Sequence, residues 1–156
     1  MSQNIFDNDQ FFESYKEVRH KEESYNNLIE QPSMRLLLPD INKKTVLDMG
    51  CGFGTTCKNF LKMGAAKVVG IDISEKMLDF AMTQNADANI QYMKLDMEKI
   101  NEIGMKFDFV YSSLALHYIP DFEQLTKKVY DLLNQDGIFL FSQEHPMVTA
   151  PLLGTS

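Results

Sequence analysis

The sequence predicts an α/β fold: a doubly wound, mainly parallel sheet of about five strands with flanking helices and a helical N-terminal segment. Three observations predict it. Short apolar runs alternate with longer amphipathic stretches, the pattern of strands joined by crossover helices. Four of those runs, TVLDM, KVVGI, FDFVY and GIFLF, are almost continuously apolar, as strands covered on both faces are. The 156 residues suit one domain with a core of its own.

The elements follow in order. The stretch FFESYKEVRHKEESYNNLIEQPSMRLLLPD is polar and helix-favouring at its start. Phe11, Phe12, Tyr15, Val18, Tyr25, Leu28 and Ile29 give it an imperfect helical stripe, and Pro32 and Pro39 punctuate it. KKTVLDMG is a strand stopped by Gly50, and residues 54–63 are a helix stopped by Gly64. KVVGIDIS is a second strand, and SEKMLDFAMTQN is a helix opened by a capping serine, Ser74. IQYMKLD and FDFVYSSLAL are the third and fourth strands. DFEQLTKKVYDLLN is a helix carrying Phe122, Leu125, Val129, Leu132 and Leu133, and DGIFLFSQ is a turn and a fifth strand. Residues 1–40 are assigned to a helical cap, 41–146 to the core and 147–156 to a tail, with no internal repeat.

Composition narrows the function. Apolar residues make up 44%, normal for a globular protein, and no apolar run approaches the ~18 residues of a membrane span. The opening MSQNIFDNDQFF lacks the basic and apolar regions of a secretory signal. Cys51 and Cys57 are too few for a disulfide framework, and no Cys or His pair has zinc-ligand spacing. A reducing, cytoplasmic setting and no metal are therefore expected. A net charge of −7 with scattered basic residues argues against a nucleic-acid partner.

The chemistry concentrates in VLDMGCGFG, where Gly50, Gly52 and Gly54 stand at alternate positions directly after the first strand. One glycine serves a tight strand-to-helix turn; three favour a ligand lying against the backbone. A dinucleotide fingerprint, G-x-G-x-x-G/A, fails at its third glycine, which is Thr55. Asp48 also has the wrong sign beside a pyrophosphate, whereas a cationic ligand without phosphate tolerates it. Asp72 ends the second strand and suits the two hydroxyls of a ribose; Asp96 ends the third and suits an exocyclic amine. Each acid taken singly also reads as a helix cap or strand-end residue. Together, after this loop, they favour an adenosyl pocket.

These motifs resemble those of the class I S-adenosylmethionine-dependent methyltransferases, most closely the small-molecule branch of quinone-biosynthesis type. VLDMGCGFG is similar to the family's first motif, VVGIDIS to the second, YMKLDMEKI to the third and FDFVYSSLALHYI to the fourth; LNQDGIFLFSQEHP is similar to the stretch with the fifth strand. The resemblance runs from about residue 11 to residue 150. It implies a Rossmann-like sheet of order 3-2-1-4-5 and S-adenosylmethionine as cofactor, with S-adenosylhomocysteine as product. Asp48, Gly50, Cys51, Gly52 and Gly54 would then border its methionine part, Asp72 would hold the ribose, and Ile73 would pack on the adenine. Asp96 and the backbone of Met97 would bind the adenine edge, and Ser112, Ser113 and Leu114 would line the floor near the sulfonium. Tyr15 and Arg19 would lie on a helix folded over the cofactor, Arg19 facing its carboxylate, although a packed or solvated helix face explains both as well.

The same resemblance implies methyl transfer to a small-molecule acceptor by in-line displacement. His117, Glu144 and His145 follow the fourth and fifth strands, where an acceptor would lie, and His117 is the first candidate for a base. A packing role for His117 in ALHYIPDF explains it equally, and His20 reads as an exposed helix residue. The family's usual last two strands, an antiparallel pair, have no counterpart before the sequence ends at TAPLLGTS. The fifth strand is therefore expected at a sheet edge, paired with a second copy or covered by a terminal segment. A cofactor-binding domain without catalysis is the alternative to an enzyme, and an NAD-type oxidoreductase is disfavoured by Asp48 and Thr55.

Overall fold

The computed structural model describes residues 5–20 and 26–144, with the side chains of residues 5 and 18–20 outside that description. The tail expected over 147–156, Tyr25 in the N-terminal stripe, and His145 lie outside the described residues. Five strands, β1 (Thr45–Met49), β2 (Lys67–Asp72), β3 (Ile90–Lys94), β4 (Phe107–Ser113) and β5 (Leu133–Ser142), form one sheet of order β3-β2-β1-β4-β5. All four pairings are parallel. The expected fold and strand order are both observed. Among the described residues, five α-helices accompany the strands: α1 (Asp9–His20), α2 (Gln31–Leu37), α3 (Thr55–Lys62), α4 (Glu75–Gln84) and α5 (Phe122–Leu132).

The sheet is buried because its central strands are apolar on both faces, and alternate side chains serve alternate sides. Val46, Val68 and Phe109 join Phe60 of α3, Leu78 of α4 and Met34 of α2 on one face. Leu47, Val69 and Val110 join Leu125, Val129 and Leu132 of α5 on the other. Phe60 packs edge-on against both Phe109 and Tyr111, with ring centroids 5.8 and 5.2 Å away. Gly70 faces Asp48 across the β1–β2 pairing, and its missing side chain leaves room for two thiols. A methyl there would stand 2.9 Å from Cys57 Sγ and 3.0 Å from Cys51 Sγ. No helix among the described residues is long and apolar enough to cross a membrane.

Four element boundaries differ from the sequence expectation. Pro32 lies in the first turn of α2 and opens it, since a first-turn residue has no intrahelical N–H bond to lose. The third strand stops at Lys94, which leaves Asp96 to cap a 3-10 segment, Met97–Ile103, by accepting from Glu98 N at 2.9 Å. The fourth strand stops at Ser113, because Leu114 turns into the left-handed region at φ 50°. The fifth helix ends at Leu132, and Leu133 already pairs with Phe107; pairing then resumes at Ile138 opposite Phe109, past Asp136 at φ 61°. The expected turn at Asp136 thus sits inside an irregular strand.

Ser74 caps α4 as its sequence position predicts, its Oγ accepting from Met77 N at 3.2 Å. The same hydroxyl donates to Asp7 Oδ1 at 2.6 Å, tying the N-terminal segment to the start of α4. Replacement Ser74→Ala removes both bonds. We expect a loss of roughly 1–2 kcal/mol of folding free energy, to be read from urea unfolding.

Candidate functional site

The site is built where β1 gives way to α3. Gly50, Gly52 and Gly54 all adopt positive φ, 74°, 51° and 75°. Gly50 requires glycine twice over: its backbone is left-handed, and a Cβ there would stand 2.7 Å from Ala115 Cβ and 2.8 Å from Met97 Cε. The loop is held to the end of β2 by its own amides. Gly50 N and Cys51 N both donate to Ile71 O at 2.9 Å, and Gly54 N donates to Cys51 O at 2.9 Å. Gly52 N donates to Asp72 Oδ2 at 2.9 Å, while Asp72 Oδ1 accepts from Ser74 N at 2.9 Å. Burial raises the Asp72 carboxyl above its ordinary value, against the downward pull of the backbone N–H groups of Ser74, Gly52 and Ile73.

A cavity opens above this loop. Of the residues named from the sequence, Tyr15, Gly50, Gly52, Asp72, Ile73, Asp96, Met97, Ser113 and Leu114 line it together. Residues the sequence did not single out complete the wall: Met77 and Leu95 below, Ala115, Tyr118 and Ile119 beyond Leu114, and Phe6 from the N-terminal turn. Phe6 meets Tyr15 and Tyr118 edge-on, at 5.3 and 6.1 Å between centroids, so aromatic rings from both chain regions meet over one side. Burial also pushes the Tyr118 hydroxyl up, with Glu144 adding to the shift. The result is a largely apolar slot with two carboxyl-bearing residues, Asp72 and Asp96, in its lining.

Other sequence candidates lie elsewhere. Asp48 is buried beneath the loop at 2% exposure, where Cys57 Sγ donates to its Oδ2 at 3.3 Å; it does not line the cavity. As the penultimate residue of the buried β1, opposite Gly70 and Tyr111, it is packed within the sheet layer. Ser112 is also buried, and its Oγ donates to Met49 O at 2.9 Å, so alternation along β4 removes it from the floor assigned to it. Gly54 opens α3 and packs against Tyr92, and Cys51 faces a polar cleft shared with Arg35, Thr55 and Thr56. The Cys57 thiol hydrogen-bonds with Cys51, and with burial this holds Cys57 well above its ordinary value. The bond with Cys57 lowers Cys51, but burial and Asp48 outweigh it. Neither thiol is an activated nucleophile. His117 lies on a 3-10 turn, Leu116–Tyr118, outside the cavity wall, with its ring 4.2 Å from that of Tyr118. Its Nδ1 is buried and has no hydrogen-bond partner. Glu144 is exposed, and Arg19 and His20 sit on α1 with side chains outside the described residues.

Residues 46–137 match the profile of the methyltransferase domain. The chain belongs to the class I S-adenosylmethionine-dependent methyltransferases. An S-adenosylmethionine-dependent methyltransferase from Mesorhizobium loti has the same fold, with a TM-score of 0.72 and 40% identity over 78% of this chain and 56% of that one. An uncharacterized Haemophilus influenzae protein is 40% identical over 93% of this chain and 59% of its own length. A ubiquinone biosynthesis O-methyltransferase from Coxiella burnetii is 33% identical over 64% of this chain and 43% of its own. The chain thus spans about half the length of the relatives it matches.

Two measurements test the site. Gly50→Ala forces an alanine into the left-handed region and into Ala115 and Met97, so unfolding should show a loss of at least about 1–2 kcal/mol. Asp72 has a raised folded value, so just above its ordinary 3.8 the folded state holds more protons than the unfolded one. Its contribution to stability therefore falls as pH rises through that window. Urea unfolding of wild type and Asp72→Asn across pH 3 to 7 should show the wild type losing stability relative to the variant there.

Proposed function

We propose that this chain binds S-adenosylmethionine in the cavity above the glycine loop and transfers its methyl group to a small-molecule acceptor. One observation carries the ligand class. The loop amides of Gly50, Cys51, Gly52 and Gly54 are all spent on acceptors within the protein, the third on the Asp72 carboxyl. A pyrophosphate would need those N–H groups turned toward it, whereas an adenosyl sulfonium carries no phosphate. The residues present fit such a ligand. Asp72 would accept from the ribose hydroxyls and Asp96 from the adenine amine, while Ile73 and Met97 offer apolar surface to the ring. Bound there, the cofactor supplies a methyl carbon already activated by a sulfonium leaving group.

The protein's share is alignment and exclusion of water. Ser113 and Leu114 wall the cavity at the end of β4, and Phe6, Tyr15 and Tyr118 cover one side. Positioning of this kind is worth on the order of 7–11 kcal/mol. An acceptor arriving protonated needs a base, and His117, on the turn after β4, is the candidate. The small-molecule class of acceptor draws on the Coxiella relative, named for ubiquinone biosynthesis. A second copy pairing on β5, the strand at the sheet's edge, is compatible with this reading. Cofactor binding without catalysis is the second reading, favoured by the placing of His117 outside the cavity wall.

Calorimetric titration with S-adenosylmethionine, S-adenosylhomocysteine and NAD tests the ligand. The two adenosyl compounds should bind and NAD should not; the reverse would overturn the reading. Asp72→Ala should weaken S-adenosylhomocysteine at least about tenfold, the worth of a hydrogen bond to a charged group. His117→Ala should lower kcat with the dissociation constant of S-adenosylhomocysteine unchanged; an unaltered kcat would remove the base.

A further inference from the structure

We propose that Glu30 is a positioning residue, one that holds the Leu114 wall of the cavity in its left-handed conformation. The inference rests on the cofactor reading only for its consequence, not for its geometry. Glu30 lies just before α2, is 8% exposed, and meets no lysine or arginine in an ion pair among the described residues. Its carboxyl is instead filled by neutral donors. Ser113 Oγ donates to Oε1 at 2.8 Å, Ser142 Oγ donates to the same oxygen, and Gln31 Nε2 donates to Oε2 at 2.7 Å. Gln31 Nε2 also reaches Ser113 Oγ at 3.3 Å.

The two serines are opposite each other at the carboxyl ends of β4 and β5. Leu114 is the next residue, and its N–H donates to both Ser142 O and Ser142 Oγ, each at 3.1 Å. A hydrogen-bonded chain therefore runs from the Glu30 carboxyl through the Ser142 hydroxyl to the amide of a cavity-lining residue. Leu114 needs that hold. At φ 50° a leucine is strained by about 1–2 kcal/mol, and such conformations persist only where surrounding bonds over-determine them. Glu30 also fixes Ser113, which lines the same cavity. One buried carboxyl from the N-terminal segment thus fixes two consecutive residues of the wall, 83 and 112 residues away from its two serine partners.

Hydrogen exchange at single amides reads the link without any ligand. In Glu30→Ala the Leu114 amide should exchange about tenfold faster or more, with the Val110 amide in the middle of β4 unchanged. Glu30→Gln keeps a carbonyl oxygen for the two serines and should lie between wild type and Glu30→Ala. If Glu30→Ala fails to fold, Ser142→Ala removes only the middle of the chain and should also accelerate Leu114 selectively. S-adenosylhomocysteine affinity should fall by a similar factor in Glu30→Ala and Ser142→Ala. Equal acceleration at Leu114 and Val110 would mean general loosening and would overturn the proposal, as would unchanged exchange at Leu114. Faster exchange with unaltered affinity would overturn the positioning role. Failure of the wild type to bind S-adenosylhomocysteine would sink the cofactor reading alone, and Leu114 exchange would still decide the link to Glu30.

Discussion

The grip of Asp72 on the glycine loop is the constraint on which the site depends. A carboxyl at the end of β2 holds an amide of the loop leaving β1 and, with its other oxygen, the amide that begins the turn into α4. Parallel neighbours make this possible, since β1 and β2 end side by side. The carboxyl does its structural work with backbone N–H groups on one side and borders the cavity on the other. Desolvation is the cost, visible in the direction of its titration, and the N–H groups offset part of it.

From that junction the cavity's other walls follow by topology. In a sheet of order β3-β2-β1-β4-β5 the chain leaves β1 for one side first and returns to the other, so a crevice forms between the loops after β1 and β4. Met97 approaches Gly50 from the loop after β3, and Ala115 from the loop after β4. The N-terminal segment closes one side through Phe6 and Tyr15, anchored to α4 by Asp7.

Much of this was legible in the sequence, and the reason is periodicity. Strands buried on both faces read as unbroken apolar runs, and glycines needing positive φ stand out by identity alone. Asp72 and the glycine loop stood out because residue type and strand end coincide there, whereas Asp96 lies two residues past the end of β3. Side-chain direction was harder. Ser112 and Ser113 look alike in FDFVYSS, yet alternation along β4 sends Ser112 to Met49 O and Ser113 to the cavity. Alternation along β1 likewise buries Asp48 away from the cavity lining. Glu30 was not legible at all: a lone carboxylate beside a helical stripe reads as a solvated residue, and its serine partners are far away in sequence. Phe6 lies in a short turn before the first helix, where no pattern marks it as part of a wall.

Gly70 has a wider consequence. The bare backbone at the middle of β2 receives two sulfur atoms, one from the loop and one from α3. The volume of Cys51 and Cys57 is thereby matched to an absent side chain on the neighbouring strand. Positions 51, 57 and 70 thus form a single steric unit. Added bulk at position 70 meets both sulfur atoms and the Tyr92 ring, so it fits only where those neighbours give way.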